Sequence, residues 1–416
     1  MLNAMLTAKP SPSVQSIVYL LVGANSVSAL VRFMSLPFLA LYLHVALHAS
    51  FALSGLIVGL GSLVTVLASL FLGPLSDHMS RVRVMLAGTG LLGLAFTAEG
   101  LARSLAVFVG LQVVVGIGFA LEGPAFEALV SDLTPPPKRV LLFGWIYWGA
   151  NIGAAFGPAL GAFAGAGRHG LPFVVAGTVV MALALLGAIG LRHVPDDHVP
   201  EGARPGMGQS LRTLLGAVQD RILLLYLLGQ VVSGLAYVQL ETTLGQYIGT
   251  HTAMGARLFG YMMAANGFTV LALQPLLGRF LQSRSVLWST LVGTGIMALG
   301  FAGYGVAASA TAFIGDQVFM TVGEVISSPA SQTVLSVLAP ANRRATYFTL
   351  QTLAYGLPQF VGPALGGLAL QTAGKWAVFG GMALVTTTAL AFYRAALRRD
   401  GRFLRPAREL TDAAPV

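Results

Sequence analysis

Twelve runs of apolar residues, each long enough to cross a lipid bilayer, occupy most of this 416-residue chain. A helical span needs about 20 residues, and the runs fall at roughly 15–45, 51–76, 82–101, 105–131, 140–166, 171–192, 221–249, 255–279, 286–307, 310–336, 345–371 and 375–396. Hydrocarbon offers no water to peptide groups, so a spanning segment must satisfy each N–H and C=O within itself, as an α-helix does. A soluble core is excluded by charge. Only 9% of the residues are Asp, Glu, Lys or Arg, against about 25% in soluble domains. The expected class is an all-α membrane protein. The first run follows a polar stretch, MLNAMLTAKPSPSV, and has no A-x-A-like cleavage site near its end, so it reads as a retained helix rather than a signal peptide.

The basic residues orient the spans. Of the 24 lysines and arginines, 19 fall in segments that are cytoplasmic if the N-terminus is, four (Arg103, Arg168, Arg257, Lys375) fall on the other side, and Arg32 lies inside the first span. The positive-inside rule then puts both termini in the cytoplasm. The net charge of +9 belongs to loops at an acidic lipid surface, not to a nucleic-acid site. There is no cysteine, so disulfides and thiolate metal sites are excluded.

A polar stretch, HVPDDHVPEGARPGMGQS, separates spans six and seven. Its Pro, Gly and charge mark a linker. This divides the chain into 1–192, a six-helix bundle; 193–220, a cytoplasmic linker; 221–397, a second bundle; and 398–416, a basic tail that reads as a lipid-surface anchor. The two bundles are copies. At a shift of 205 residues, LAGTGLLGLAF at 86–96 meets LVGTGIMALGF at 291–301, GPALG at 157–161 meets GPALG at 362–366, Pro124 meets Pro329 and Tyr42 meets Tyr247. One register holding from the first span pair to the fifth marks an internal repeat, and solute sites in repeat-built membrane proteins lie near the midplane.

The segment GPLSDHMSRVR, Gly73 to Arg83, resembles the G-x-L-x-D-x-x-x-R signature of the major facilitator superfamily, matching at Gly73, Leu75, Asp77 and Arg81. The series Gly153, Gly157, Pro158, Gly161 is similar to that family's antiporter motif, and PAFEALVSDLTPPPKR to its helix-four exit, with Asp132 and Arg139 in place. The resemblance covers the whole chain and implies the major facilitator fold, two pseudo-symmetric six-helix bundles. Within the family the chain most resembles the twelve-helix drug:proton antiporters. It departs from them at span four, where Gln112 stands in place of their usual arginine four residues before Gly116.

The resemblance implies that spans one, four, seven and ten line the central cavity. Charges inside spans are expensive, about 2.5–3.5 kcal/mol at the bilayer centre, and so face a cavity or a partner. Helical spacing puts Asn25, Ser28, Arg32, Ser35 and Tyr42 on one face of span one, and Tyr226, Gln230, Ser233, Tyr237 and Glu241 on one face of span seven. The candidate substrate and proton cavity is Asn25, Arg32, Glu122, Gln230, Tyr237, Glu241 and Glu324. The plain alternative for Arg32 is a structural lock to a glutamate. Glu127 reads as a structural or gating pair near the cytoplasmic end, and Glu99 and Asp316 as solvated near the outer interface. Gly73, Asp77, Arg81 and Asp132 form the cytoplasmic latch that the resemblance implies. The alternative there is a surface salt bridge worth about 0–1 kcal/mol. Gln282 stands where the second copy would carry the latch aspartate. Gly149, Gly153, Gly157 and Gly161, four residues apart, read first as a groove for a neighbouring helix, with Pro158 able to bend it.

A carboxylate desolvated in such a cavity binds either a proton or a cation, each ligand favouring a different charge state. The expected function is secondary active transport, proton-coupled efflux of lipophilic or cationic small molecules by alternating access. Two alternatives stand beside it. One is uptake of an anionic or zwitterionic solute such as a peptide or organic acid. Arg32-Phe33 resembles the helix-one E-x-x-E-R-F motif of peptide transporters, but without its glutamates. The other is a non-transporting receptor or scaffold. No enzyme activity, cofactor or metal is implied: no phosphate-cradling glycine loop occurs, and the seven histidines are scattered. The expected partners are a small-molecule substrate, protons and membrane lipids, with no nucleic acid, for a monomer in a bacterial inner membrane. Because the chain lacks cysteine, single cysteines placed at Ser210 and Ala413 should react with an impermeant maleimide only in inside-out vesicles. Labelling of either in intact cells would reverse the orientation.

Overall fold

The computed structural model describes residues 12–78, 80–134, 136–165, 167–192, 194, 219–339 and 344–412. The side chains of Gly73 and Asp77 and almost all of the 193–220 linker lie outside the described residues. The chain runs through α1 (Pro12–Ser35), a 3-10 turn (Leu36–Phe38), α2 (Leu39–Leu47), α3 (Phe51–His78), α4 (Arg81–Leu101), α5 (Leu105–Leu133), α6 (Pro136–Phe163) and α7 (Leu171–Gly190). It continues with α8 (Arg221–Glu241), α9 (Thr243–His251), α10 (Ala256–Gln282), α11 (Val286–Val306), α12 (Ala310–Leu338), α13 (Arg344–Leu397), a short 3-10 turn (Gly401–Leu404) and α14 (Ala407–Asp412). Every expected span is helical. Spans one and seven are each broken in two, and spans eleven and twelve form the single element α13, which turns at Gly374 with φ of 74°, a conformation open to glycine at no steric cost. Among the described residues, eight stretches are long and apolar enough to cross a membrane. The helices α6, α10 and α12, at 28, 27 and 29 residues, are equally long.

The repeat is visible in the element ends. α4 and α11 begin and end 205 residues apart, as do α5 and α12. Ser80 caps α4 by accepting from the Arg83 N–H, and Ser285 caps α11 by accepting from the Trp288 N–H, satisfying helix-end donors that nothing else would. The breaks also correspond. Pro37 lies in the turn that ends α1, and Thr242, with φ −114° and ψ −76°, ends α8. Proline removes a helical donor at the first break. Helix packing follows the same register. A Cβ added to Gly88 would overlap the Gly118 carbonyl and the Glu122 amide. One on Gly293 would overlap the Gly323 carbonyl and the Ser327 amide. Glycine lets these backbones touch where a bilayer supplies no hydrophobic drive for association.

Two compact units result, Met1–Leu36 with Val64–Pro200 and Pro37–Leu63 with Glu201–Val416. The first is a bundle in which α1 packs on α6 and α7, and α4 packs on α5 and α7. In the second, α8 and α11 pack on α13, α11 on α12, and α10 on α12. Residues 37–63 group with this unit rather than with the rest of the N-terminal half. Phe38 meets Phe259 edge-on at 5.4 Å. The buried Gln246 amide donates to the Ala40 and Phe51 carbonyls, both at 3.4 Å. Gly55 and Gly59 lie against the backbone of Pro363 and Phe360.

The basic tail, expected as a lipid-surface anchor, docks on the second unit. Phe403 is fully buried within the second unit. Arg402 donates to Asp400 at 2.7 Å and to the Val337 carbonyl at 3.1 Å, and the Ala407 N–H donates to the Arg284 carbonyl. The Arg402 hydrogen bonds hold the Asp400 carboxyl below its ordinary range. Arg398, Arg399 and Arg405 remain exposed.

The glycine contacts make a paired test. Gly88→Ala and Gly293→Ala should each lower stability by about 1–3 kcal/mol through overpacking. Gly90→Ala and Gly295→Ala, where a Cβ meets open space, should be neutral or slightly stabilising because alanine is the better helix former. Thermal unfolding in detergent reads the difference.

Candidate functional site

In the first unit, α1 and α5 carry the ion pair. Arg32 Nη2 donates to Glu122 Oε1 at 2.9 Å, and its guanidinium lies 5.1 Å from the centre of the Phe119 ring. Both side chains are largely buried, at 15% and 11% exposure. Each helix alone would carry an unpaired charge, and together they cancel it. A cavity of about 420 Å³ opens beside the pair, walled by α1, α4, α5 and α7, with Asn25, Ser28 and Glu122 on its lining. The pair is therefore an internal feature of this bundle.

In the second unit the arrangement differs. Glu324 on α12 accepts from Tyr237 on α8 at 2.9 Å and from Asn266 on α10 at 3.0 Å. Asn266 also donates to Thr321 at 2.8 Å. Both donors to Glu324 are neutral, and among the described residues it has no cationic partner. A second cavity, about 280 Å³, adjoins this carboxylate. Its walls include four tyrosines (Tyr226, Tyr237, Tyr355, Tyr393) and four serines (Ser233, Ser327, Ser328, Ser331). Gln230 donates to Ser331 at 2.7 Å and to Tyr226 at 3.2 Å, and the Ser233 and Tyr393 hydroxyls share a hydrogen bond of 2.8 Å. The surface is one of hydroxyls around one carboxylate.

The repeat exposes how the sites diverged. Arg32 and Tyr237 stand 205 residues apart, as do Phe119 and Glu324. One position pair holds a cation over an aromatic ring and the other a phenol on a carboxylate. A second pair of equivalent positions shows the same substitution logic. Gln112 donates to Glu99 at 2.5 Å, and at the equivalent positions Tyr304 donates to Gln317 at 2.8 Å.

The structure brings together Asn25, Arg32 and Glu122 in one unit and Gln230, Tyr237 and Glu324 in the other. Glu241, the last residue of α8, is exposed and lies off the second cavity's lining. Glu99 is not solvated as expected: α4 turns it onto α5, where it is fully buried against Gln112. Asp316 is half-buried, and its Oδ2 has no hydrogen-bond partner among the described residues. Glu127 is exposed, with no ion-pair partner among them. Of the latch, Arg81 pairs with Asp132 and donates to the Ala128 carbonyl at 3.2 Å. Gly153 and Gly157 face α1 at Ala29, Leu30 and Phe33, and Pro158 lies inside α6. Gly161 is buried there too. Asn266 was missed by sequence reasoning. Its signal was a lone amide inside the apolar run MMAANGF, on a span the resemblance keeps away from the cavity.

A family model described as Major Facilitator Superfamily matches residues 21–360 and, again, 227–414. The chain is 24% identical to the "Na(+), Li(+), K(+)/H(+) antiporter" of Planococcus maritimus, over 79% of this chain and 84% of that protein. It is 28% identical to the class G tetracycline resistance protein of Vibrio anguillarum, over 77% of this chain and 82% of that one. A crystal structure of a POT family transporter bound to a thioalcohol-conjugated peptide shares the fold, with TM-score 0.76 and 15% identity over 92% of this chain and 95% of the other.

The ion pair predicts a coupled mutational response. Arg32→Ala and Glu122→Ala should each destabilise by about 3–5 kcal/mol, because each strands a buried charge. The double variant should be more stable than the sum of the two implies. Unfolding midpoints of the four proteins give the coupling.

Proposed function

The chain belongs to the major facilitator superfamily, and from that premise we propose that it is a proton-coupled exporter of cationic or lipophilic small molecules working by alternating access. One observation carries the reading: Glu324 is held by two neutral donors and faces a cavity with no counter-cation among the described residues. Such a carboxylate accepts one positive ligand at a time. A proton satisfies it in one half of the cycle and a cationic substrate in the other, and the exclusion between them is the coupling. The tyrosines of the cavity offer ring faces to a cation, an interaction worth about 0.5–2 kcal/mol. The serines accept hydrogen bonds from its N–H groups. What the Planococcus and Vibrio relatives are named for, cation/proton antiport and drug resistance, supports the same reading. Uptake of an anion through Arg32 fits less well, since Glu122 already occupies that guanidinium.

In this reading Arg32 and Glu122 hold the first unit together and Glu324 titrates. The basic loops support placing the substrate-release side opposite the termini, in a bacterial cytoplasmic membrane. In proteoliposomes, Glu324→Gln should abolish cation accumulation driven by a pH gradient and weaken cation exchange as well, because the neutral amide resembles the protonated acid. Proton-driven accumulation at the wild-type rate in Glu324→Gln would remove Glu324 from the mechanism.

A further inference from the structure

Glu99 is a buried acid that the export cycle at Glu324 does not use. It is 0% exposed, lines neither cavity, and makes no ion pair among the described residues. One contact answers it, with the Gln112 amide across the α4–α5 interface, at 2.5 Å. Its other oxygen, Oε2, has no hydrogen-bond partner among the described residues. The surroundings are apolar. One turn back along α4 lie Ala95 and Phe96, and one turn to either side of Gln112 lie Phe108 and Val115, all buried.

The elements packed around Glu99 supply no counter-charge. α7, which packs on α4, carries no charged residue along its length. On α5 the nearest charge is Glu122, ten residues beyond Gln112, or about 15 Å along the helix, and Arg32 already neutralises it. Arg103 after α4, and Arg168 and His169 before α7, are exposed. An ionised carboxylate in such a place is very costly, and the group takes up a proton instead.

Two geometric observations agree. The separation of 2.5 Å lies below the usual N–H···O range of about 2.7–3.2 Å and inside the O–H···O range of about 2.5–3.0 Å. A half-turn of the Gln112 amide exchanges its nitrogen and oxygen in place, so that a Glu99 hydroxyl donates and the amide oxygen accepts. The second observation is that the repeat already contains this bond. At the equivalent positions, 205 residues on, the Tyr304 hydroxyl donates to Gln317 Oε1 at 2.8 Å, and Gln317 Nε2 is left buried without a partner among the described residues. A protonated glutamate in one copy is the counterpart of the tyrosine hydroxyl in the other.

We propose that Glu99 is a separate proton-binding site: it keeps its proton through the whole cycle, donates it to the Gln112 amide oxygen, and clamps α4 to α5 as a neutral acid. The molecule then holds one acid that exchanges its proton, Glu324, and one that does not. The assignment of a proton to Glu99 does not rest on the export reading.

The test is infrared difference spectroscopy on the full chain in lipid at neutral pH. Wild type minus Glu99→Gln should show the carbonyl stretch of a carboxylic acid. In Gln112→Leu that band should move to higher frequency as its hydrogen bond is lost, which reads the same acid even where Glu99→Gln does not fold. Carboxylate bands in place of the acid band would overturn the proposal. Thermal unfolding gives an independent reading. The folded protein holds a proton that an unfolded glutamate releases above about pH 4.3, so wild-type stability should fall relative to Glu99→Gln between about pH 5 and 8. A difference between the two that stays constant over that range would contradict a bound proton. In proteoliposomes, Glu99→Gln should keep proton-driven cation accumulation within about twofold of the wild-type rate. Its loss there would make Glu99 an exchanging acid and end the claim of a retained proton. If wild type moves no cation at all, the export reading falls, and the acid band still decides the state of Glu99.

Discussion

A charge inside a bilayer has to be answered by an opposite charge, a proton or a ligand, and this rule organises the whole molecule. The described ion pairs obey it in different ways. Arg32 and Glu122 answer each other within 2.9 Å. Arg81 and Asp132 do so at a helix end, where water shares the task. Glu99 and Glu324 are exceptions, because their neighbours donate hydrogen bonds without cancelling the charge, and of these two Glu324 is the one that lines a cavity. A protein that keeps such a group in its interior carries an energetic cost of a few kcal/mol, and a bound proton or cation recovers it. Transport follows if the two cannot bind together.

The duplication explains how one scaffold came to hold both solutions. Equivalent helices begin and end in register, equivalent serines cap them, and equivalent glycines set their closest approach. Against that fixed frame, exchanging Arg32 for Tyr237 and Phe119 for Glu324 turns a compensated pair into a lone carboxylate. A second set of equivalent pairs, Glu99 with Gln112 and Tyr304 with Gln317, keeps the hydrogen bond while changing its charge. Gln112 thus has a partner of its own in Glu99. The first span also hands its second part to the other half: past the break at Pro37, the chain packs on α9, α10 and α13.

Hydropathy and a single repeat register were enough to read the helical architecture, because both follow from local chain chemistry. Polar stripes on α1 and α8 found Arg32 and Tyr237, and charges inside apolar spans found Glu122 and Glu324, since a polar residue in an apolar helix has few places to go. Partners were harder to see. Asn266 lies on a helix whose other face is apolar, and only three-dimensional packing turns it toward Glu324. Burial of Glu99 depends on which way α4 rolls against α5, and Phe403 docks through tertiary contacts that a basic composition hides.

The central claim is that proton and cation compete for Glu324, and it can be measured without transport. Purified protein in weakly buffered detergent solution, titrated with a hydrophilic organic cation under a pH indicator, reports protons released as the cation binds. By linkage, exclusive occupancy of one carboxylate gives release of up to about one proton per cation in the wild type, at a pH where the site is protonated, and none in Glu324→Gln. Undiminished proton release from Glu324→Gln would contradict the account and place the coupling on another acid.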